Sequence, residues 1–335
     1  MMIEIVTKLS WPSFRNVALH IGKAFKNRCD YTILDQTRIK PADSILFIGT
    51  VLRENLNLLK DYVSRSRIVF YGTTEGHSRV DEESLKVAGQ VRIVAVSNFV
   101  RQMLEEIGIL AAGVVHHGLD MSNRRVDPGF YAFLEKKLRG KKMIFTASAN
   151  HSRKGLDSLL HGYQLVEKET QGAYLILHSE SMGYYNIMKI AKELKLKHFW
   201  LTNLYGKLSE GKMNAFYKLC SVYAQPSYSE GFGLPILEAF RFGKPVIAVD
   251  APPFNEIIIQ RQTGILVPCS RIAWFNLADQ MTFKMHMYNA GDLAQTMLEL
   301  MTDQEQAVEM NRNIERQNSN WSADTLYPKL LDYFK

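Results

Sequence analysis

A strand–helix alternation that runs, breaks and runs again most narrows what this chain can become. Apolar runs at 2–6 (MIEIV), 31–34 (YTIL), 44–49 (SILFIG), 67–72 (RIVFYG) and 92–97 (RIVAVS) read as buried strands. Amphipathic stretches accompany them; the one at 14–25 puts Phe14, Val17, Ile21 and Phe25 on one helical face. Apolar strands alternating with helices predict a parallel sheet covered on both sides. After Asp120 the rhythm stops in a polar stretch, MSNRRVDPG, and a short charged helix to about Arg139 follows. It restarts at MIFTAS (143–148) and continues to PVIAV (245–249). With 335 residues the chain has room for two domains of ordinary size. The expected division is an N-terminal Rossmann-like domain at 1–139, a second at 140–320, and a closing helix at 321–335 packing back toward the first. Such sheets bind ligands beyond the carboxyl ends of their strands. Two of them face to face enclose a cleft.

One segment departs from the alternation. SRIAWFNLADQMTFKMHMYNAG (270–291) is rich in Met and aromatic residues and is expected as a helix with an adaptable apolar face. Core packing is the plainer reading of that face; a lid, a partner contact or a membrane-surface contact are the others.

The net charge of +7 suits an acidic substrate or an anionic surface without choosing between them. No dense basic stripe marks the chain as a nucleic-acid binder. Cys29, Cys220 and Cys269 are odd in number, far apart and without zinc spacing, so a reducing compartment is expected. No apolar run approaches the roughly 20 residues that span a bilayer, and the N-terminus lacks a signal-peptide pattern. The expectation is a cytoplasmic protein, at most peripheral at a membrane. Oligomeric state stays open.

The chemistry concentrates in YSEGFGLPILEAF (228–240). It follows a strand, SVYAQPS, and opens a helix, with Pro235 in the first turn and Gly243 past the last. The backbone at Gly231, Phe232, Gly233 and Leu234 lets a ligand come close, and a helix start favours an anion. Carboxylates there would repel phosphate, so Glu230 and Glu238 fit a ligand that also offers hydroxyls, as a nucleotide sugar does. The alternative is that Glu230 caps the helix and Glu238 is solvated; spacing alone does not choose.

EGFGLPILEAFRFGKPVIAVD resembles the E-x7-E signature of retaining GT-B glycosyltransferases, especially the large family-four group (glycosyl transferases group 1). SRKGLDSLL (152–160), FNEIIIQRQTGILVP (254–268), AVSNFVRQMLEEIGI…VVHHGLD (95–120), PADSILFIG and Trp321 resemble further segments of that family, so the likeness covers most of the chain. It implies a GT-B fold, two Rossmann-like domains facing across a cleft, and a metal-independent transferase. The implied substrates are a nucleotide sugar, such as a UDP- or GDP-sugar, and a glycan or a lipid- or protein-linked acceptor. No separate cofactor is implied. Carried over by position, Glu230 contacts the transferred sugar, Gly231 to Leu234 flank the sugar and diphosphate, Glu238 binds the ribose, and Lys154 neutralises the diphosphate. Three departures follow. Ser148 lies near the position where the family usually has a second phosphate-binding cation, with Arg153 as the substitute, although adjacent residues tend to point apart. TKLSWPSFRN replaces the N-terminal glycine-rich loop, with Ser13 and Arg15 as acceptor candidates. YGTTEGHS replaces a histidine loop: Thr73 or Thr74 lies nearest its position, Glu75 is the candidate to hold an acceptor hydroxyl, and His77 is a further acceptor or cleft candidate, with a solvated loop residue as its plainer reading. His117, after a strand end, is a further cleft candidate. The alternative functions are a DNA-modifying glycosyltransferase and a non-catalytic nucleotide-sugar-binding protein.

Overall fold

The computed structural model describes residues 2–9, 12–25, 30–36, 39–40, 42–278 and 280–335. Two six-stranded parallel sheets carry the chain. The first is built from β1 (Met2–Thr7), β2 (Asp30–Asp35), β3 (Ser44–Thr50), β4 (Arg67–Thr73), β6 (Arg92–Ala95) and β7 (Gly113–Val114). A short β5 (Gly76–Ser78) leaves this series and joins another sheet. The second contains β8 (Lys142–Ala147), β9 (Ala173–His178), β10 (Phe199–Leu201), β11 (Val222–Ala224), β12 (Val246–Val249) and β13 (Gly264–Val267). Ile45 to Ile48 and Val246 to Val249 are buried, as strands covered on both faces must be.

Strand order places the site. The first sheet runs β2-β1-β3-β4-β6-β7 and the second β10-β9-β8-β11-β12-β13. In the second sheet the chain steps one way from β8 and returns past it to β11. That reversal opens a crevice at the carboxyl ends of β8 and β11. The loops leaving these strands are 148–155 and 225–233, and they hold the residues singled out above.

The expected helix within 270–291 is instead a β-hairpin of β14 (Arg271–Ala278) and β15 (Met281–Met287), and a helix begins only at Ala290. Along β15, MTFKMHM, apolar and polar residues alternate. Phe275 stands opposite Phe283, and Trp274 opposite Lys284. β15 then pairs antiparallel with β5, giving a third sheet in the order β14-β15-β5. Methionine content suggested a helix, but a free strand edge on the other domain supplies the partner that isolated helix propensity ignores.

The C-terminal segment is a series of short helices, 3-10 at Asn318–Trp321 and Tyr327–Phe334 and α at Ala323–Leu326. It reaches the first domain: Leu119 N donates to Trp321 O, Ala323 N donates to Leu119 O, and Arg67 Nη1 donates to Phe334 O at 3.1 Å. Among the described residues, no helix is long and apolar enough to cross a membrane.

Candidate active site

The loop after β8 closes with a single tight turn, Ser152–Lys154. Gly155 follows at φ 58°, and a Cβ there would lie 2.1 Å from Pro226 O, so only glycine lets the two loops touch. In this turn the neighbouring Arg153 and Lys154 do not diverge. Arg153 Nη1 donates to Glu230 Oε2 at 2.9 Å and to Ser229 O at 3.0 Å; Lys154 Nζ donates to Glu230 Oε1 at 2.5 Å. Ser227 Oγ (2.7 Å) and Gln225 Nε2 (3.1 Å) donate to the same Oε1. Glu230 is therefore no helix cap. The Leu234–Phe240 helix starts at Gly233, φ 114°, without a side-chain cap.

All three charged side chains are buried, at 11–15% exposure. Burial pushes the Glu230 carboxyl upward, but Lys154 and Arg153 more than reverse this and hold it at about 2. Lys154 moves down: burial and the adjacent guanidinium outweigh its share of Glu230. The pair thus consists of a firmly ionised acid and a weakened ammonium, because two cations share one carboxylate. Glu238, eight residues on, is half-buried and accepts from Tyr217 OH at 2.5 Å, which contradicts a freely solvated side chain.

The first domain meets this cluster directly. Arg153 Nη2 donates to Glu75 Oε1 at 2.9 Å, Ser229 Oγ to Glu75 O at 2.7 Å, and Ser97 Oγ to Gly231 O at 2.7 Å. A Cβ on Gly231 would fall 1.8 Å from Thr73 Oγ1, so the first glycine of GFG is required by a residue of the opposite domain. Glu256 crosses the same junction. Its carboxylate accepts the backbone N–H of Asn98 and of Phe99, both at 2.8 Å, at the start of the Asn98–Glu105 helix, and lies 3.2 Å from His116 Nε2. Ser97, Glu256, Gln225 and Tyr217 were missed in the sequence. Ser97 precedes a helical run, a cap signal, but its second bond to Gly231 O has no local signature.

Other candidates lie apart from the cluster. His77 is not a solvated loop residue: it sits on β5, 2.6 Å from Glu106 Oε2, with its ring 4.4 Å from that of Trp274. His117 is buried rather than open to the cleft. It lies 2.9 Å from Tyr71 OH and packs edge-on to Phe232, and burial drives its pKa down to about 3, so it is neutral. Ser13 and Arg15 are exposed in the first turn of the Pro12–Phe25 helix; Ser10 and Trp11 before them lie outside the described residues.

Two Rossmann-like sheets facing across a cleft, with an E-x7-E loop at the switch point of the second, define a GT-B fold. Residues 132–283 match the model of the glycosyl transferases group 1 family. The chain is 19% identical over 340 residues to a protein named uncharacterized glycosyltransferase 335 from Sulfolobus islandicus rod-shaped virus 1, covering 99% of this chain and all of that one. It is 25% identical to a GDP-mannose-dependent α-(1-6)-phosphatidylinositol monomannoside mannosyltransferase of Mycobacterium tuberculosis over 65% of this chain and 54% of the enzyme. Among solved structures, Anabaena HepE in complex with UDP and glucose superposes with a TM-score of 0.76 at 14% identity, over 99% of this chain and 98% of HepE.

Proposed function

We propose that this chain is a retaining, metal-independent glycosyltransferase that moves a sugar from a nucleotide-sugar donor to a glycan or lipid-linked acceptor. The observation that carries this reading is the convergence of Arg153, Lys154 and Glu230 at the switch point, with Glu75 approaching from the other domain. The second domain takes the donor. Lys154 and Arg153 neutralise the diphosphate and stabilise it as it leaves. Glu238 accepts from the ribose hydroxyls, Glu230 from the sugar near its reacting carbon, and the backbone of Gly231 to Leu234 borders both. A relative that uses GDP-mannose and a fold neighbour holding UDP support a nucleoside diphosphate, with the base left to experiment.

In the reaction, the bond from the anomeric carbon to phosphate oxygen breaks and the acceptor oxygen bonds to the same face. The acceptor proton passes to the departing phosphate. Glu230 has both oxygens engaged by Arg153, Lys154, Ser227 and Gln225, which supports this assignment over Glu230 as the base. Glu75 holds the acceptor hydroxyl. The test is a thermal-shift screen of UDP, GDP, ADP and their sugars, followed by nucleotide release on the best donor. Stabilisation by one nucleotide and turnover lost in Lys154→Met support the reading; wild-type turnover in Lys154→Met overturns it.

A further inference from the structure

The β15 strand touches both halves of the cluster. His286 N donates to Tyr228 O at 2.8 Å on the donor loop, and Lys284 N donates to Glu75 O at 3.1 Å on the opposite domain. Next to Lys284 on the same strand, the Phe283 ring lies 5.8 Å from the Arg153 guanidinium carbon. The pairing of β15 with β5 depends on Gly76, where a Cβ would come within 2.0 Å of Thr282 O and 2.8 Å of Phe283 Cα. The backbone of Glu75 is thus fixed by β15 and by Ser229 Oγ, while its carboxylate reaches Arg153 through Oε1 alone. The local charge balances: Arg153 and Lys154 against Glu230 and Glu75.

Resting on the donor site proposed above, we infer that Glu75 is an exchangeable counter-ion for Arg153, positioned by the β14–β15 hairpin. It neutralises the guanidinium until a donor diphosphate takes its place. A carboxylate and a phosphate oxygen cannot share Nη2 in a buried site, because like charges repel strongly away from water. The arriving diphosphate therefore displaces the Glu75 side chain. Its backbone stays bonded to Lys284 N, so the freed carboxylate remains at the mouth of the site, facing the acceptor. The hairpin, which belongs to the donor domain, in this way sets an acid of the other domain, and donor binding becomes the event that releases that acid for the acceptor.

The test is titration calorimetry of the full chain with UDP, GDP and ADP, and with uridine, guanosine and adenosine as phosphate-free controls. Glu75→Gln removes the competing charge and is expected to bind the preferred nucleoside diphosphate about tenfold more tightly, ~1.4 kcal/mol, with no change for its nucleoside. Glu75→Asp, a methylene too short to reach Nη2, is expected to tighten binding in the same direction. In a Gly76→Val background, where β5 is pushed off β15, the Glu75→Gln gain is expected to shrink below about twofold. Equal or weaker diphosphate binding in both Glu75 variants overturns the counter-ion role, as does tightening that extends to the nucleoside. A full gain in folded Gly76→Val overturns the positioning by the hairpin. If no nucleotide binds any variant, the donor site itself is lost and this inference with it, an outcome distinct from the others.

Discussion

Two glutamates approach one guanidinium from opposite domains, and they are held very differently. Glu230 receives Arg153, Lys154, Ser227 and Gln225 on its two oxygens. Glu75 gives one oxygen to Arg153 and has its backbone, rather than its carboxylate, tied down. The first is built as a fixed charge and the second as a movable one. Partners on the side chain freeze an acid in its charged state; partners on the main chain only aim it.

Glu230→Gln tests the fixed charge most harshly. It leaves two buried cations without their shared anion, and about 3–5 kcal/mol of stability is expected to be lost near neutral pH. Wild-type Glu230 has its pKa depressed from 4.5 to about 2, so its contribution is complete above about pH 4.5 and disappears as pH falls toward 2. Urea unfolding across that range should show the wild type and variant converging in acid. A constant gap would mean that the cations are not what Glu230 holds. Lys154→Met comes next: the fold is kept and transfer is expected to fall ~10²–10³-fold, in line with removal of one charge-stabilising group, measured as kcat on the best donor. Gly231→Ala forces Thr73 and the GFG loop apart, and is expected to cost about 1–3 kcal/mol by thermal unfolding, as overpacking does. Ser97→Ala removes a helix cap and the bond to Gly231 O, and about 1 kcal/mol is expected in the same measurement. At the small end, Ser13→Ala and Arg15→Ala should leave stability within about 0.5 kcal/mol and nucleotide affinity unchanged. Any effect is expected in the KM for acceptor; a change in nucleotide affinity would move these residues to the donor side.

The same contrast explains what the sequence made legible. Alternation of apolar runs and helices gave both parallel sheets, because buried strands and amphipathic helices are local patterns. Glu230 and Glu238 were singled out because the loop, the glycines and Pro235 mark a helix start at a strand end; Lys154 came only from the resemblance of SRKGLDSLL to a family segment. Arg153 was harder: only the tight Ser152–Lys154 turn brings it beside Lys154, and nothing in its neighbours requires that turn. Ser97 and Glu256 escaped because their partners are 134 and 158 residues away. The hairpin was misread for the same reason. Its second strand is stabilised by β5, and an edge offered by another domain leaves no trace in the strand that will use it.

β5 spans three residues, Gly76–Ser78. A ladder so short frays locally, without either large sheet coming undone. It behaves as a latch rather than a weld. The two halves are joined at this short ladder, at Glu256 and at the chain's returning end, so what holds the cleft is spread over small, separate seams.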